Sequence, residues 1–168
     1  MEPARPTPAH ASTHTPVPAP AVTAVTLGVA DVETSLAFYA GGLGFRVLQH
    51  LPGEIAFVQA GHGLLLALWN IASMPREYGD VGFGPQAPPV SLGHNVARAA
   101  AVGELYALAL AAGATGVAAP RAQPWGGTSA CVADPDGYRW DFVHNPAFRV
   151  EPDGTVSIGR GTEGGGAR

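Results

Sequence analysis

The chain predicts an α+β fold built from two copies of one unit, strand–helix–strand–strand–strand. Three observations carry this. Val25-Thr26-Leu27-Gly28 returns sixty-five positions later as Val90-Ser91-Leu92-Gly93. Each string opens the same order of signals: an extended apolar run, a run with helical period, a glycine stop, then further short extended runs. Hydrophobic residues make up 46% of the 168, enough for a core, in a length that fits one domain plus tails. Two modules packed together leave a cleft, and clefts bind small molecules.

In the first unit, residues 21–29 are rich in Val and Thr and read as a buried strand. Asp31 stands where a helix N-cap belongs, before the periodic apolar series Val32, Leu36, Tyr39 and Leu43. Gly41, Gly42 and Gly44 stop that helix. Strands follow over 45–50, 55–60 and 64–69, separated by the turns Pro52-Gly53 and Gly61-His62-Gly63. The connection 70–89, with Gly79, Gly82, Gly84 and several prolines, is long enough to suggest a functional loop, with a helical turn near 74–78. The second unit repeats the order: a strand over 90–96, a helix over 99–112 capped by Gly113, and strands over 116–119, 129–133 and 138–144. Asp134-Pro135-Asp136-Gly137 is a strong turn signal between the last two.

Both ends differ from this body. Residues 1–20 carry prolines at 3, 6, 8, 16, 18 and 20, which exclude helix and disfavour sheet pairing, so a disordered Pro/Ala-rich arm is expected there. A flexible Gly-rich tail is expected over 151–168, leaving 21–150 as the folded domain, with modules at about 21–70 and 90–146. The net charge is −4, there is no Lys, and the Arg residues are scattered, so no basic stripe offers itself to nucleic acid. No apolar run approaches the ~20 residues of a membrane helix, and the start lacks the pattern of a signal peptide. The single Cys131 rules out an intrachain disulfide and fits a reducing compartment, so a cytoplasmic protein is expected.

Two motif clusters carry a resemblance. The first is Leu27-Gly28-Val29-Ala30-Asp31 with Ser35, Phe38-Tyr39 and Gly42-Leu43-Gly44-Phe45. The second is Ala133-Asp134-Pro135-Asp136-Gly137-Tyr138-Arg139-Trp140-Asp141. In order and separation they resemble the vicinal oxygen chelate superfamily of glyoxalases, bleomycin-resistance proteins and extradiol dioxygenases, across about 22–146. The resemblance implies two βαβββ modules whose mixed sheets curl around a central cleft with helices on the outer face. It also implies a homodimer.

In metal-dependent members of that superfamily, four strand positions supply His, Glu, His or Gln, and Glu to a divalent ion. Carried over by spacing, these positions hold Ala24, Leu66, Ser91 and Asp141 here. Ala and Leu cannot coordinate, a neutral Ser is a poor ligand, and a catalytic metal needs about three protein ligands. No cofactor is therefore expected. A divalent metal held by relocated ligands at His94, Asp141 and His144 is the alternative.

Asp141 is the one acid placed inside the body of a strand. A carboxylate there either faces the cleft, as a general base or a partner for a donor group, or pairs with Arg139 or Arg46. His94 has the opposite strand parity to Ser91, which sends it toward the helix layer unless Gly93 seats a bulge. His144 and Asp141 likewise differ in parity. Trp69 and Trp125 flank loops, either as aromatic walls over a planar ligand or as ordinary packing. Thr26 and Ser91 occupy the echoed hydroxyl positions and reach either a ligand or backbone. Cys131, in an apolar strand, reads as a small buried hydrophobe.

The leading expectation is a metal-free cleft that binds an apolar or aromatic small molecule through Thr26, Ser91, Trp69, Trp125, His94 and Asp141. Its rivals are a metal-free isomerase, lyase or cyclase using Asp141 as base, a metal-dependent glyoxalase-type lyase or dioxygenase, and a scaffold whose cleft is plugged by Leu66 and Leu68.

Overall fold

The computed structural model describes residues 20–159; the expected arm, apart from Pro20, and the last nine residues of the expected tail lie outside them. The first module runs β1 (Ala24–Val29), α1 (Val32–Leu36) continued by a π-helical turn (Ala37–Gly42), β2 (Arg46–Leu51), β3 (Ile55–Gly61) and β4 (Leu64–Asn70). The connection carries the short α2 (Pro75–Tyr78). The second module runs β5 (Ser91–Asn95), α3 (Ala99–Ala111), β6 (Thr115–Ala122), β7 (Thr128–Ala133) and β8 (Arg139–His144). The two strings of the echo lie in the same topological place. The β1 strand pairs parallel with β4, and β5 pairs parallel with β8.

The result is two four-stranded mixed sheets, ordered β1-β4-β3-β2 and β5-β8-β7-β6. They share no hydrogen-bonded ladder among the described residues and are not closed into a barrel. The α+β class and the paired βαβββ modules expected from sequence are what the chain adopts.

Local chemistry explains the elements. Asp31 is extended and its Oδ1 accepts from the Thr34 backbone N–H at 2.7 Å, satisfying an orphan donor of α1. After α1, Gly44 takes a φ of 78°, which only a residue without Cβ adopts easily, and the chain turns into β2. The β6 strand is longer than the sequence suggests because two register shifts let it continue past Pro120.

One face of each sheet feeds a common core. From the first sheet come Leu27, Val29, Ala56, Val58, Leu66 and Leu68; from the second, Ala130, Val132, Trp140 and Phe142. Phe38, Tyr39, Val102 and Ala109 of the helices fill the space they enclose. Leu66 is 1% exposed on this core-facing side. The helix-free side of β4 instead presents Leu65, which pairs with Ala24, and Ala67. Leu66 therefore belongs to the core and is not the second ligand-equivalent position. The slip arose because Leu64–Leu68 is apolar throughout and gives no alternation to read.

A set of polar contacts latches the modules together. The buried Asp134 accepts from the Tyr39 hydroxyl at 2.6 Å and from the backbone N–H groups of Asp136 and Tyr138. Asp136 accepts from the Ala30 N–H and the Ser35 hydroxyl at 2.8 and 2.7 Å. The Tyr138 hydroxyl donates to the Gly28 carbonyl, and the Trp140 indole N–H donates to the Tyr39 oxygen.

The C-terminal region departs from expectation. Instead of fraying from 151, the chain forms an antiparallel hairpin, with β9 (Phe148–Val150) paired to β10 (Val156–Ile158). A type of turn that brings Gly154 N–H back to the Glu151 carbonyl, with Gly154 at φ 87°, closes it.

Candidate functional site

The ladders settle which face each candidate occupies. On the helix-free face of the first sheet stand Thr26 and Gly28 of β1, Leu65, Ala67 and Trp69 of β4, and Ile55, Phe57 and Gln59 of β3. On the helix-free face of the second stand Ser91 and Gly93 of β5, Arg139, Asp141 and Val143 of β8, and Ser129 and Cys131 of β7.

The face of the first sheet is apolar and partly roofed by the connection. Gly28 allows this: a Cβ there would meet the Met74 sulfur at 2.7 Å and the Ile71 side chain at 3.2 Å. Tyr78 of α2 meets Trp69 edge-on, ring centroids 5.6 Å apart. The Trp69 indole nitrogen is buried and has no hydrogen-bond acceptor among the described residues. A buried N–H left unpaired carries a desolvation penalty of about 1–3 kcal/mol, which makes it a feature in need of a partner.

On the second sheet, Asp141 and Cys131 are register neighbours. Burial, with the adjacent Asp141 carboxylate reinforcing it, pushes the Cys131 thiol above its ordinary range, so the sulfur stays protonated. Cys131 is half-buried rather than fully inside the core. Arg139 donates to the Gly137 carbonyl, and Asp141 forms no ion pair among the described residues. The pairing of Asp141 with Arg139 or Arg46 weighed from sequence does not occur.

His94 lies on the core-facing side of β5, opposite Phe142 in the register, and meets that ring edge-on at 6.4 Å. Its parity is therefore opposite to that of Asp141, and His144 shares the His94 side. Trp125 is 50% exposed in the β6–β7 turn and packs against Gly127, where a Cβ would collide with its ring. The structure thus divides the six candidates: Thr26 and Trp69 on one helix-free face, Ser91 and Asp141 on the other, His94 behind them and Trp125 at a loop. Phe57, Met74 and Tyr78 were missed from sequence. Alternation between the buried Ala56 and Val58 was the available signal for Phe57.

The donor set at the four ligand-equivalent positions, with Leu66 replaced by its correctly facing neighbours, is Ala24, Leu65 or Ala67, Ser91 and Asp141. One carboxylate among alkyl groups and a hydroxyl does not fit a divalent ion. No group of three or more His, Cys, Asp or Glu among the described residues comes together as a metal site.

Two paired βαβββ modules give the fold of the vicinal oxygen chelate class. The chain belongs to the Glyoxalase/Bleomycin resistance protein/Dioxygenase superfamily, whose family model matches residues 21–142. It is 34% identical to a glyoxalase-related enzyme from Fulvimarina pelagi, over 83% of this chain and 99% of that one, with a TM-score of 0.75. A glyoxalase/bleomycin resistance protein/dioxygenase from Nocardioides shares the fold at 23% identity, over 77% and 86% of the two chains, with a TM-score of 0.65. A lactoylglutathione lyase from Agrobacterium tumefaciens does so at 21% identity, over 76% and 96%, with a TM-score of 0.59. No curated protein matches the chain. No helix among the described residues is long and apolar enough to cross a membrane.

Proposed function

We propose that this chain binds an uncharged apolar or aromatic small molecule on its helix-free sheet faces, by shape and a few hydrogen bonds rather than through a metal ion. The observation that carries this reading is the apolar face of the first sheet under the 71–78 roof, with the unpaired Trp69 N–H at its edge. A ligand oxygen that reaches this N–H as the roof shifts would relieve its desolvation penalty. Thr26 supplies a hydroxyl on the same face, and Ser91 and Asp141 supply polar groups on the other sheet. A homodimer, in which the exposed faces of two copies meet, fits this arrangement.

A Trp69→Phe substitution keeps an aromatic ring, smaller than indole, and removes the N–H. The relieved desolvation of the N–H and the packing lost with the smaller ring oppose one another, so only a small change in thermal unfolding is expected. Affinity for a neutral aromatic ligand found by thermal-shift screening is expected to fall roughly tenfold, about 1.4 kcal/mol. Undiminished affinity in Trp69→Phe would refute the role given to this N–H.

Untagged protein incubated with Zn, Ni, Mn or Fe(II) and then desalted is expected to retain less than about a tenth of an equivalent by elemental mass spectrometry. Retention near one equivalent, lost in Asp141→Asn, would overturn the metal-free reading.

A second reading has Asp141 as the base of a metal-free isomerase, lyase or cyclase, favoured by its having no ion pair among the described residues. Substrate-dependent turnover abolished in Asp141→Asn supports it; turnover that survives the substitution removes Asp141 from the chemistry.

A further inference from the structure

A separate groove of about 720 Å³ opens on the core-facing side of the sheets, between the modules. That size falls within the range of about 300–1,000 Å³ typical of small-molecule sites. Its floor is Leu66 and Trp140, 1% and 6% exposed, flanked by the half-buried Phe45 and Leu92. The Trp140 N–H is already committed to Tyr39, so Trp140 offers only apolar ring surface. Ala101 of α3 forms one wall, and the hairpin segment 150–156 forms the roof. The hairpin lies beyond residues 21–142 matched by the family model.

The charged side chains at the rim are paired. Arg98 is held by Glu104 through two hydrogen bonds of 2.8 and 2.6 Å, and Glu151 is held by Arg149 at 2.6 Å. Both rim charges are thus already neutralised. His94 stands at the exposed mouth, and the protein around its ring pushes its pKa below the ordinary imidazole value. At neutral pH it presents one N–H and one lone pair and no charge.

We propose that this groove is a second ligand site, specific for an uncharged planar aromatic molecule carrying one hydrogen-bonding group. The ring lies against Phe45, Leu92 and the exposed edge of Trp140 under the hairpin, and its polar group reaches His94. This groove opens on the opposite side of the sheets from Trp69 and Asp141 and shares with the helix-free faces only β5 residues such as Ser91 and Gly93 in its wall.

The test uses N-phenyl-1-naphthylamine, a neutral fluorescent aromatic amine, with the full-length protein. Saturable binding with about one equivalent is expected, with amide shift changes centred on His94, Ala101 and Val156 by NMR. Ala101→Trp fills the groove and is expected to weaken binding at least tenfold. His94→Phe keeps an aromatic ring and removes the hydrogen-bonding nitrogens, and is expected to weaken it several-fold. Trp69→Phe, which addresses the other site, is expected to change it less than twofold. Binding that survives Ala101→Trp in a folded protein, shift changes confined to Thr26, Phe57 and Trp69, or no binding of the probe would each overturn the proposal. Should Ala101→Trp fail to fold, the shift map on the unaltered chain decides.

Discussion

Asp134→Ala is expected to destabilise the protein by about 3 kcal/mol, a drop in melting temperature of roughly 6–12 °C for a domain of this size. Asp134 is 4% exposed and accepts from one hydroxyl and two backbone N–H groups. Alanine leaves all three donors without their acceptor. The Tyr39 hydroxyl then keeps only the contact in which it accepts from Trp140, so the loss reaches from the β7–β8 turn into the aromatic cluster of Tyr39, Phe45 and Trp140. Urea unfolding of both proteins measures the difference, and a loss below about 1 kcal/mol would mean that water replaces the carboxylate in these bonds.

The same residue has a pH signature. Burial raises the Asp134 pKa, and the hydrogen bonds from Tyr39 and the Tyr138 backbone only partly oppose it. The folded state therefore holds its proton more tightly than the unfolded chain does. The stability this contributes is fully present below the unfolded pKa of about 3.9 and is lost as pH rises through the raised folded value. Asp134→Asn removes this titration. The stability of the natural protein relative to Asp134→Asn is accordingly expected to be greater at pH 4 than at pH 7, as read from urea midpoints at the two values. The reverse order would show that the hydrogen bonds outweigh burial.

The latch also shows what a single sequence conveys. Asp134-Pro135-Asp136-Gly137 was legible as a turn, and together with Asp31, Ser35 and Tyr39 it carried the family resemblance. That Asp134 and Asp136 tie one module to the other was not legible, because their partners lie 95 and 101 positions away. The first strand and the helix cap were readable because their signals are local: a Val- and Thr-rich run, and an Asp three residues before the N–H it accepts from. Strand parity was readable where polar and apolar residues alternate, as at Ser91-Leu92-Gly93-His94, and the core-side placement of His94 agrees with it. It failed at Leu66, where every neighbour is apolar. The hairpin at 148–158 was hidden for another reason. Its strands are three residues each, and the Gly-rich composition beside them pointed to a tail. The site was less legible than the fold because the roof over Trp69 comes from a connection with no period of its own.

Gly42→Ala is expected to cost about 2 kcal/mol, although it adds a single methyl group. A Cβ at Gly42 would overlap the Cβ of Ala112 and come within 3.2 Å of its Cα, where carbon atoms prefer about 3.5–4.0 Å. Neither neighbour is the end of a flexible side chain, so the helical segment of the first module must move away from the end of α3. Gly41, one residue earlier, has nothing within 4 Å of its Cβ position, and Gly41→Ala is expected to be neutral or slightly stabilising. The pair separates overpacking from loss of glycine flexibility. If contact is the cause, Gly42→Ala combined with Ala112→Gly moves the methyl across the interface and recovers most of the loss. If the double variant stays as unstable as Gly42→Ala alone, the cause is backbone conformation within the π-helical turn. The outcome bears on function because this contact and the Asp134 latch together fix the angle between the modules. That angle sets both the width of the groove under the hairpin and the relative placement of the faces that carry Trp69 and Asp141. Ligand affinity at the groove is therefore expected to fall in Gly42→Ala and to return in the double variant, in parallel with stability.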